Sequence, residues 1–319
     1  MSNKKTRKYE IIITGATGFV GRRLQKQIIK HYPKDKILNL GEGVNLVNKL
    51  TIKNLPKNPK LIIHLAAETD TSKKDHRVND IGLKNLYLAL GNLDSKTHFI
   101  YIGTMINVAG RPSCTKPVNE KTKYYPTNEY TRTKVAGEKF LINKCKKDKF
   151  KLTILTPNTI YGKDVRSNSL FDILGKGIKN KSLAVRINWP GKSALIHVDD
   201  VVLAIIAFSK IKPTSGKPDK YLLYSENLSI SEISRIMHKK MNVKYHPINI
   251  PNNIWSFLSL GRKYIPIFEL LLPSNWYNQI WRVGIIVDDV VMAKSEKVQK
   301  KIRNWNPKRL KDCVEDVVN

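Results

Sequence analysis

The stretch Ile11-Ile12-Ile13-Thr14-Gly15-Ala16-Thr17-Gly18-Phe19-Val20-Gly21 runs an apolar triplet directly into three glycines at 15, 18 and 21. An unbroken apolar run suits a strand covered on both faces. After it the spacing changes: Val20, Leu24, Ile28 and Tyr32 recur at steps of four and make one apolar stripe of a helix. A strand that turns through glycines into a helix is how a parallel sheet grips a dinucleotide pyrophosphate. Gly15 and Gly18 let main-chain N–H groups approach the phosphates, and Gly21 lets the helix lie close on the strand. A strand-to-helix turn without a ligand is the alternative, and the order of the motifs further along the chain weighs against it.

Strand patterns recur at Tyr9–Ile13, Lys36–Leu40, Leu61–Leu65, Thr97–Ile102 and Leu152–Leu155. Between them lie helical patterns over Ile81–Leu90, with Leu83, Leu86 and Leu90 facing inward, and over Thr131–Cys145. This alternation predicts an α/β chain: a Rossmann-type doubly wound parallel sheet forming a dinucleotide-binding domain over residues 1–165. Beyond about Gly162 the rhythm loosens. Helices are expected over Leu170–Ile178 and Val201–Ser209, with a strand at Leu195–Val198. Ser229-Ile230-Ser231-Glu232 reads as a capping box opening a helix to Met241. Residues 166–319 are expected to form mainly a smaller substrate-binding lobe, with 194–210 rejoining the first domain. The apolar region Ile254–Leu272 is broken by Gly261-Arg262-Lys263 and Pro266. It reads first as core or cleft lining, ahead of packing on another subunit or touching a membrane surface.

With 319 residues and 41% apolar content, wholesale disorder is excluded. No run approaches the roughly 18 apolar residues of a membrane span. The short basic stretch Met1–Lys8 leads straight into the first strand and leaves no room for a signal peptide. Three well-separated cysteines, Cys114, Cys145 and Cys313, suggest free thiols in a reducing compartment, with the cytoplasm as the default. Net charge is +31, from 57 Lys+Arg against 26 Asp+Glu. Such a field attracts nucleotides, phosphorylated sugars, nucleic acid or acidic lipid. The lysines are scattered, as around Lys144–Lys151, so a solvated basic surface is favoured over a nucleic-acid or membrane patch. No nucleic-acid-binding motif accompanies the charge. The seven histidines lack metal-ligand spacing, so no metal is expected, and His64 and His197 read as core residues.

Tyr130-Thr131-Arg132-Thr133-Lys134 places a phenol and an ammonium four positions apart, on one face of a helix. A free phenol, with a pKa near 10, is a poor base at neutral pH. A neighbouring cation favours its phenolate, which then exchanges a proton with an alcohol or ketone.

Taken in order, these motifs resemble the extended short-chain dehydrogenase/reductases, the NAD-dependent epimerase/dehydratase group, over nearly the whole chain. Thr14–Gly21 is similar to the family's TGxxGxxG, and His64-Leu65-Ala66-Ala67 to its HLAA strand end beside the cofactor. Val78-Asn79, Gly82 and Asn85 resemble its vNv-G-t-N helix. Tyr161-Gly162 and Ile196–Asp200 resemble its YG and ihVdD markers, and Trp305-Asn306-Pro307 the GW-x-P before its last helix. The resemblance implies Tyr130 as acid/base and Lys134 as the group that lowers its pKa and holds the nicotinamide ribose. It implies NAD(P) contacts from Gly15, Thr17, Gly18, Phe19, Val20, Gly21, Leu65, Ala66, Ala67, Asn79 and Pro157. Ala66, Ala67 and Pro157 as close-packing residues, and Asn79 as a helix cap, are the plainer alternatives, as helix capping is for Asp199 and Asp200.

Three departures stand out. The family's substrate-binding Ser or Thr falls at Met105, with Thr104 beside it as the candidate. The acidic residue that ends strand two falls at Gly41, with Glu42 adjacent. Arg22 or Arg23 is placed to meet a 2′-phosphate instead, so NAD and NADP stay open, and Asn45-Leu46 stands where Asp-Leu is frequent near the adenine. Ser193 and Thr159 replace an Arg and an Asn of sugar-nucleotide enzymes, with Lys192 and Asn158 adjacent, while Arg186 and Lys163 are further diphosphate candidates.

The resemblance implies an oxidoreductase or epimerase acting on a small molecule, a nucleotide-linked sugar first. A hydrophobic alcohol or ketone is second, suggested by the reductase-like Val108-Ala109-Gly110. A non-catalytic dinucleotide-holding protein with a basic surface is third. A homodimer is a candidate assembly.

Overall fold

A computed structural model describes residues 9–71, 73–261, 264, 267–268 and 271–318. The Met1–Lys8 stretch and Arg262, Lys263 and Pro266 lie outside the described residues. The strands are β1 (Ile11–Thr14), β2 (Ile37–Leu40), β3 (Leu61–His64), β4 (His98–Ile102), β5 (Lys151–Pro157), β6 (Thr159–Tyr161), β7 (Lys192–His197), β8 (Asp219–Leu223) and β9 (Glu226–Ser229). The helices used below are α1 (Phe19–Ile28), α2 (Ile81–Leu90), α3 (Glu129–Asp148), α4 (Leu170–Lys179), α5 (Val198–Lys210), α6 (Ile230–Lys240), α7 (Asn252–Gly261) and α8 (Ser274–Ile286).

The chain divides into two compact units. The first comprises Met1–Gly103, Thr133–Leu155 and Val202–Tyr221, and the second Thr104–Arg132, Thr156–Val201 and Leu222–Asn319. The sequence suggests a division near 165 with 194–210 rejoining the first domain; by contacts, Val202–Tyr221 falls in the first unit and Thr104–Arg132 in the second.

The six-stranded sheet runs in the order β2-β1-β3-β4-β5-β8. β1 pairs in parallel with both β2 and β3, with Ile12 beside Leu38 and Ile62, and the parallel pairing continues through β4 to β5. This is the doubly wound, Rossmann-like fold, with the strand order turning back on either side of β1. β1 and β3 are buried at every position, which is why each opens on an apolar triplet, Ile11–Ile13 and Leu61–Ile63, before ending in a polar residue. Leu83, Leu86 and Leu90 of α2 and Leu141 of α3 pack with Ile12, Ile62 and Phe99, all with no exposed surface. Each such side chain contributes about 1.5–3 kcal/mol by leaving water.

The second unit contains the sheet β6-β7-β9, in which β6 and β7 are parallel and β7 and β9 antiparallel. One of its apolar clusters joins Met105, Val108, Tyr130, Leu222, Tyr277 and Trp281. Another joins Tyr161, Phe171, Leu174, Ile233, Met237 and Leu310. α6 begins with the expected box: Ser229 Oγ accepts from the Glu232 N–H at 3.2 Å, and Glu232 Oε2 accepts from the Ser229 N–H at 2.7 Å.

Four features differ from the sequence reading. Tyr32 lies beyond the end of α1, because the helix stops at Ile28. α5 starts at Val198, directly after β7, so Asp199 and Asp200 lie inside its first turn instead of capping it from outside. There they complement the helix dipole. Asp200 accepts from the Lys308 N–H at 2.9 Å, and Asp199 pairs with the Lys308 ammonium at 3.0 Å. After Trp305-Asn306-Pro307 come two 3₁₀ turns, Leu310–Asp312 and Val314–Val317, in place of an α-helix. Finally, Phe257, Leu260 and Leu271 project outward, so much of the Ile254–Leu272 region is not core. The three cysteines are buried and form no disulfide.

Candidate cofactor and acid–base site

The carboxyl ends of β1, β2 and β3 open onto a cavity of about 650 Å³. Its glycine turn is locked by close approach. Gly15 has φ +67°, and a Cβ there would lie 2.6 Å from the Ala66 nitrogen. A Cβ on Gly21 would lie 2.2 Å from the Gly15 carbonyl oxygen and 2.6 Å from that of Ala16. Gly18 is the N-cap of α1, brings no side chain to accept from the first-turn N–H groups, and no acidic residue follows in that turn. Those donors and the positive end of the helix suit a phosphate.

Of the residues predicted to hold NAD(P), Gly15, Thr17, Gly18, Glu42, Asn45, Leu65, Ala66 and Ala67 line this cavity. Phe19, Val20, Gly21 and Arg22 do not. Arg23 is turned onto the Phe19 ring at 4.8 Å and donates to the Phe19 carbonyl at 3.2 Å. Sequence reasoning missed Glu68, Val44 and Leu40 as lining residues. Glu68 was within reach, since it directly follows the Ala66-Ala67 pair. Among the described residues, Glu42 and Glu68 are the charged members of the lining, and both are acidic. At Gly41 a Cβ would lie 2.6 Å from the Thr17 Cγ2, so the Thr17 methyl fills the space that a side chain at 41 needs.

Asn79 is buried and absent from the lining. Its Oδ1 accepts from the Glu68 N–H at 3.0 Å, while its Nδ2 donates to the Glu68 carbonyl at 3.0 Å and to Thr133 Oγ1 at 3.3 Å. It fixes the loop after β3. Asn85 does the same after β2, donating to the Leu46 and Val47 carbonyls. His64 shares a 2.8 Å hydrogen bond with Thr14 Oγ1 and stacks on Tyr101. Burial, reinforced by the charge of Lys134, holds its pKa down at about 3.

α3 owes its start to a local network. Asn128 Oδ1 accepts from the Thr131 N–H at 2.9 Å, and Thr131 Oγ1 accepts from the Thr127 N–H at 2.9 Å. Tyr130 and Lys134 follow one turn apart on this helix, 8% and 3% exposed. The Lys134 ammonium donates to the Ile102 carbonyl at 2.7 Å and lies 4.5 Å from the Tyr101 ring centre. Burial lowers its pKa to about 8, opposed by Glu138.

That shift has a consequence for stability. An unfolded lysine keeps its proton up to its ordinary 10.5, whereas the folded one releases it near 8. Between these limits the unfolded state binds more protons, so stability rises with pH; below 8 both are charged and the full burial cost is present. Relative to Lys134→Met, the unfolding free energy of the native chain should improve by about 3 kcal/mol across that window. Urea titrations at either end of the window measure it, and a flat difference would contradict the assignment.

Thr104 caps the 3₁₀ turn Met105–Val108, its Oγ1 accepting from the Ile106 N–H at 3.4 Å, which leaves its own hydroxyl proton uncommitted by that bond. Met105 is 1% exposed within the apolar cluster, as are the buried Val108 and Ala109. Pro157 is buried at the end of β5. Asn158 donates to Ser193 Oγ at 2.6 Å and, more loosely, to Thr159 Oγ1 at the start of β6. Arg186 Nε donates to the His246 carbonyl at 2.8 Å, and the Lys192 N–H to Asp289 Oδ1 at 2.8 Å. Among the described residues no cluster of His, Cys, Asp and Glu is placed to hold a metal ion.

Residues 11–223 match the model of the NAD dependent epimerase/dehydratase family. The chain belongs to that family. It is accordingly an NAD(P)-dependent enzyme, and the glycine turn and uncapped helix start fit the pyrophosphate of such a cofactor. The chain is 25% identical to a UDP-glucose 4-epimerase of Vibrio cholerae over 278 residues, which are 80% of this chain and 82% of that one. Its fold is similar to that of RMD from Pseudomonas aeruginosa complexed with NADPH, at TM-score 0.69 and 17% identity over 97% and 98% of the two chains. It is similar too to a variant UDP-glucuronic acid 4-epimerase from Bacillus cereus, solved with a fluorinated UDP-sugar and NAD, at TM-score 0.69 and 17% identity over 97% of each chain.

Proposed function

We propose that this enzyme uses NAD to oxidise and reduce a carbon of a nucleotide-linked sugar, with Tyr130 as the acid and base. The observation that carries the chemistry is the buried Tyr130 and Lys134 pair, one turn apart on α3. As a phenolate, Tyr130 accepts the proton of the sugar hydroxyl whose carbon is oxidised; as a phenol, it returns a proton when the carbonyl is reduced. The Lys134 ammonium stabilises the phenolate and is itself held by the Ile102 carbonyl. The Thr104 hydroxyl donates to the same substrate oxygen. A bound nicotinamide accepts and supplies the hydride.

UDP- and dTDP-sugar relatives support the substrate class. The features that suggest a hydrophobic substrate have other roles: Val108 and Ala109 are core residues, and Phe257, Leu260 and Leu271 face outward.

NAD is favoured over NADP because Glu42, just past the end of β2 in the cavity lining, is a carboxylate that opposes a 2′-phosphate, while the Glu68 carboxylate is paired with the Lys73 ammonium at 2.6 Å. NAD should bind at least about tenfold more tightly than NADP, and Glu42→Ala should shrink the difference by weakening NAD and admitting NADP. Fluorescence titration with NADH and NADPH tests this; an NADPH preference would sink it. Incubation with UDP-glucose or dTDP-glucose, followed by NMR of the sugar, tests the substrate class. Unchanged sugars would count against it.

A further inference from the structure

The outward apolar face near α7 and α8 stands apart from the rest of the molecule. Among the described residues, nine of the eighteen exposed large hydrophobic side chains fall within residues 254–283. Phe257 and Leu271 are each 73% exposed, Trp276 69%, Leu260 61% and Ile267 50%. The sequence of α7 contains no charged residue, and that of α8 contains Arg282 alone. A solvent-facing helix normally carries charges on its outer side.

The two helices are held from within. Trp255 is buried and packs on Trp189 at 5.2 Å. Trp281 Nε1 donates to Thr127 Oγ1 at 2.7 Å, and Tyr277 donates to the Thr127 carbonyl. The apolar surface is thus presented by anchored helices.

Charge selects the occupant. At +31 the chain repels a second copy of itself and is drawn to an anionic surface. The helices, ten and thirteen residues long, reach about 15 and 20 Å, short of the roughly 30 Å bilayer core. No helix of the described residues is long and apolar enough to cross a membrane. A face of exposed aromatic and aliphatic side chains on a basic protein, too short to span, suits the plane of a lipid headgroup layer.

We propose that the exposed apolar side chains of α7 and α8, with Ile267 and Leu271 between them, form a docking face that inserts into the surface of an anionic phospholipid bilayer. The full chain should sediment with vesicles of phosphatidylcholine mixed with phosphatidylglycerol, and much less with phosphatidylcholine alone. Its tryptophan emission should shift to the blue on binding. Phe257→Ser combined with Leu271→Ser should weaken binding by about tenfold or more with an unchanged melting temperature. High salt should weaken it further. Binding that ignores the double substitution would reduce the interaction to scattered lysines and overturn the proposal. So would failure to bind anionic vesicles, or a concentration-dependent dimer, seen by analytical ultracentrifugation, that the substitution abolishes. None of these readouts depends on turnover, so the result stands apart from the proposed chemistry.

Discussion

Tyr130→Phe should lower kcat by about two to four orders of magnitude while NADH affinity stays within about twofold. The substitution keeps the ring, and with it the contacts of a side chain that is 8% exposed among Met105, Tyr277 and Trp281. What it removes is one hydroxyl, the group that alone exchanges the proton in the proposed reaction. A structural role would show as a lower melting temperature and weaker cofactor binding. A catalytic role shows as a fall in turnover with both of those preserved. Steady-state kinetics on the identified sugar, together with an NADH titration and a melting curve, separates the two. Turnover close to that of the native enzyme would remove Tyr130 from the chemistry.

Gly21→Ala should weaken dinucleotide binding by about a hundredfold and lower the melting temperature by several degrees. The added methyl meets main-chain atoms: the Gly15 oxygen at 2.2 Å and the Ala16 oxygen at 2.6 Å. Main chain does not rotate aside as a side chain does, so α1 must move away from β1. Overpacking of this kind typically costs about 1–3 kcal/mol. A displacement near 1 Å in a group that positions a ligand is enough for about a hundredfold loss. The residue does not line the cavity, so its effect comes through the turn that does. Isothermal titration and thermal melting measure both terms, and native-like values for both would show that the turn tolerates a wider gap.

Much of the first unit was legible because its signals are local. The Ile11–Ile13 run, the three glycines and the inward leucines of Ile81–Leu90 each specify burial or backbone geometry within a few residues. The helix at Ile81–Leu90 matches its prediction to the residue. The capping box at Ser229 was legible for the same reason. What escaped is set by distant contacts. Nothing local in Asn79 says that its amide clamps Glu68, and nothing in Gly41 says that Thr17 fills the space beside it. Met105 and Thr104 were ambiguous in sequence because only the 3₁₀ turn decides which side chain caps and which packs into the apolar cluster. The region Ile254–Leu272 reads first as core or cleft lining because hydrophobicity reports a preference for leaving water, not what the side chain leaves water for.

The three sulfhydryls, shut away from solvent, make the molecule a recorder of its own opening. Cys145 has its pKa pushed up to about 11 by burial and donates to the Phe150 carbonyl at 3.2 Å, in the first unit's core. Cys114 and Cys313 belong to the two clusters of the second unit. An alkylating reagent therefore meets no ready thiolate at Cys145 until that core loosens. The order in which the three sites are labelled is a chronicle of which unit comes apart first.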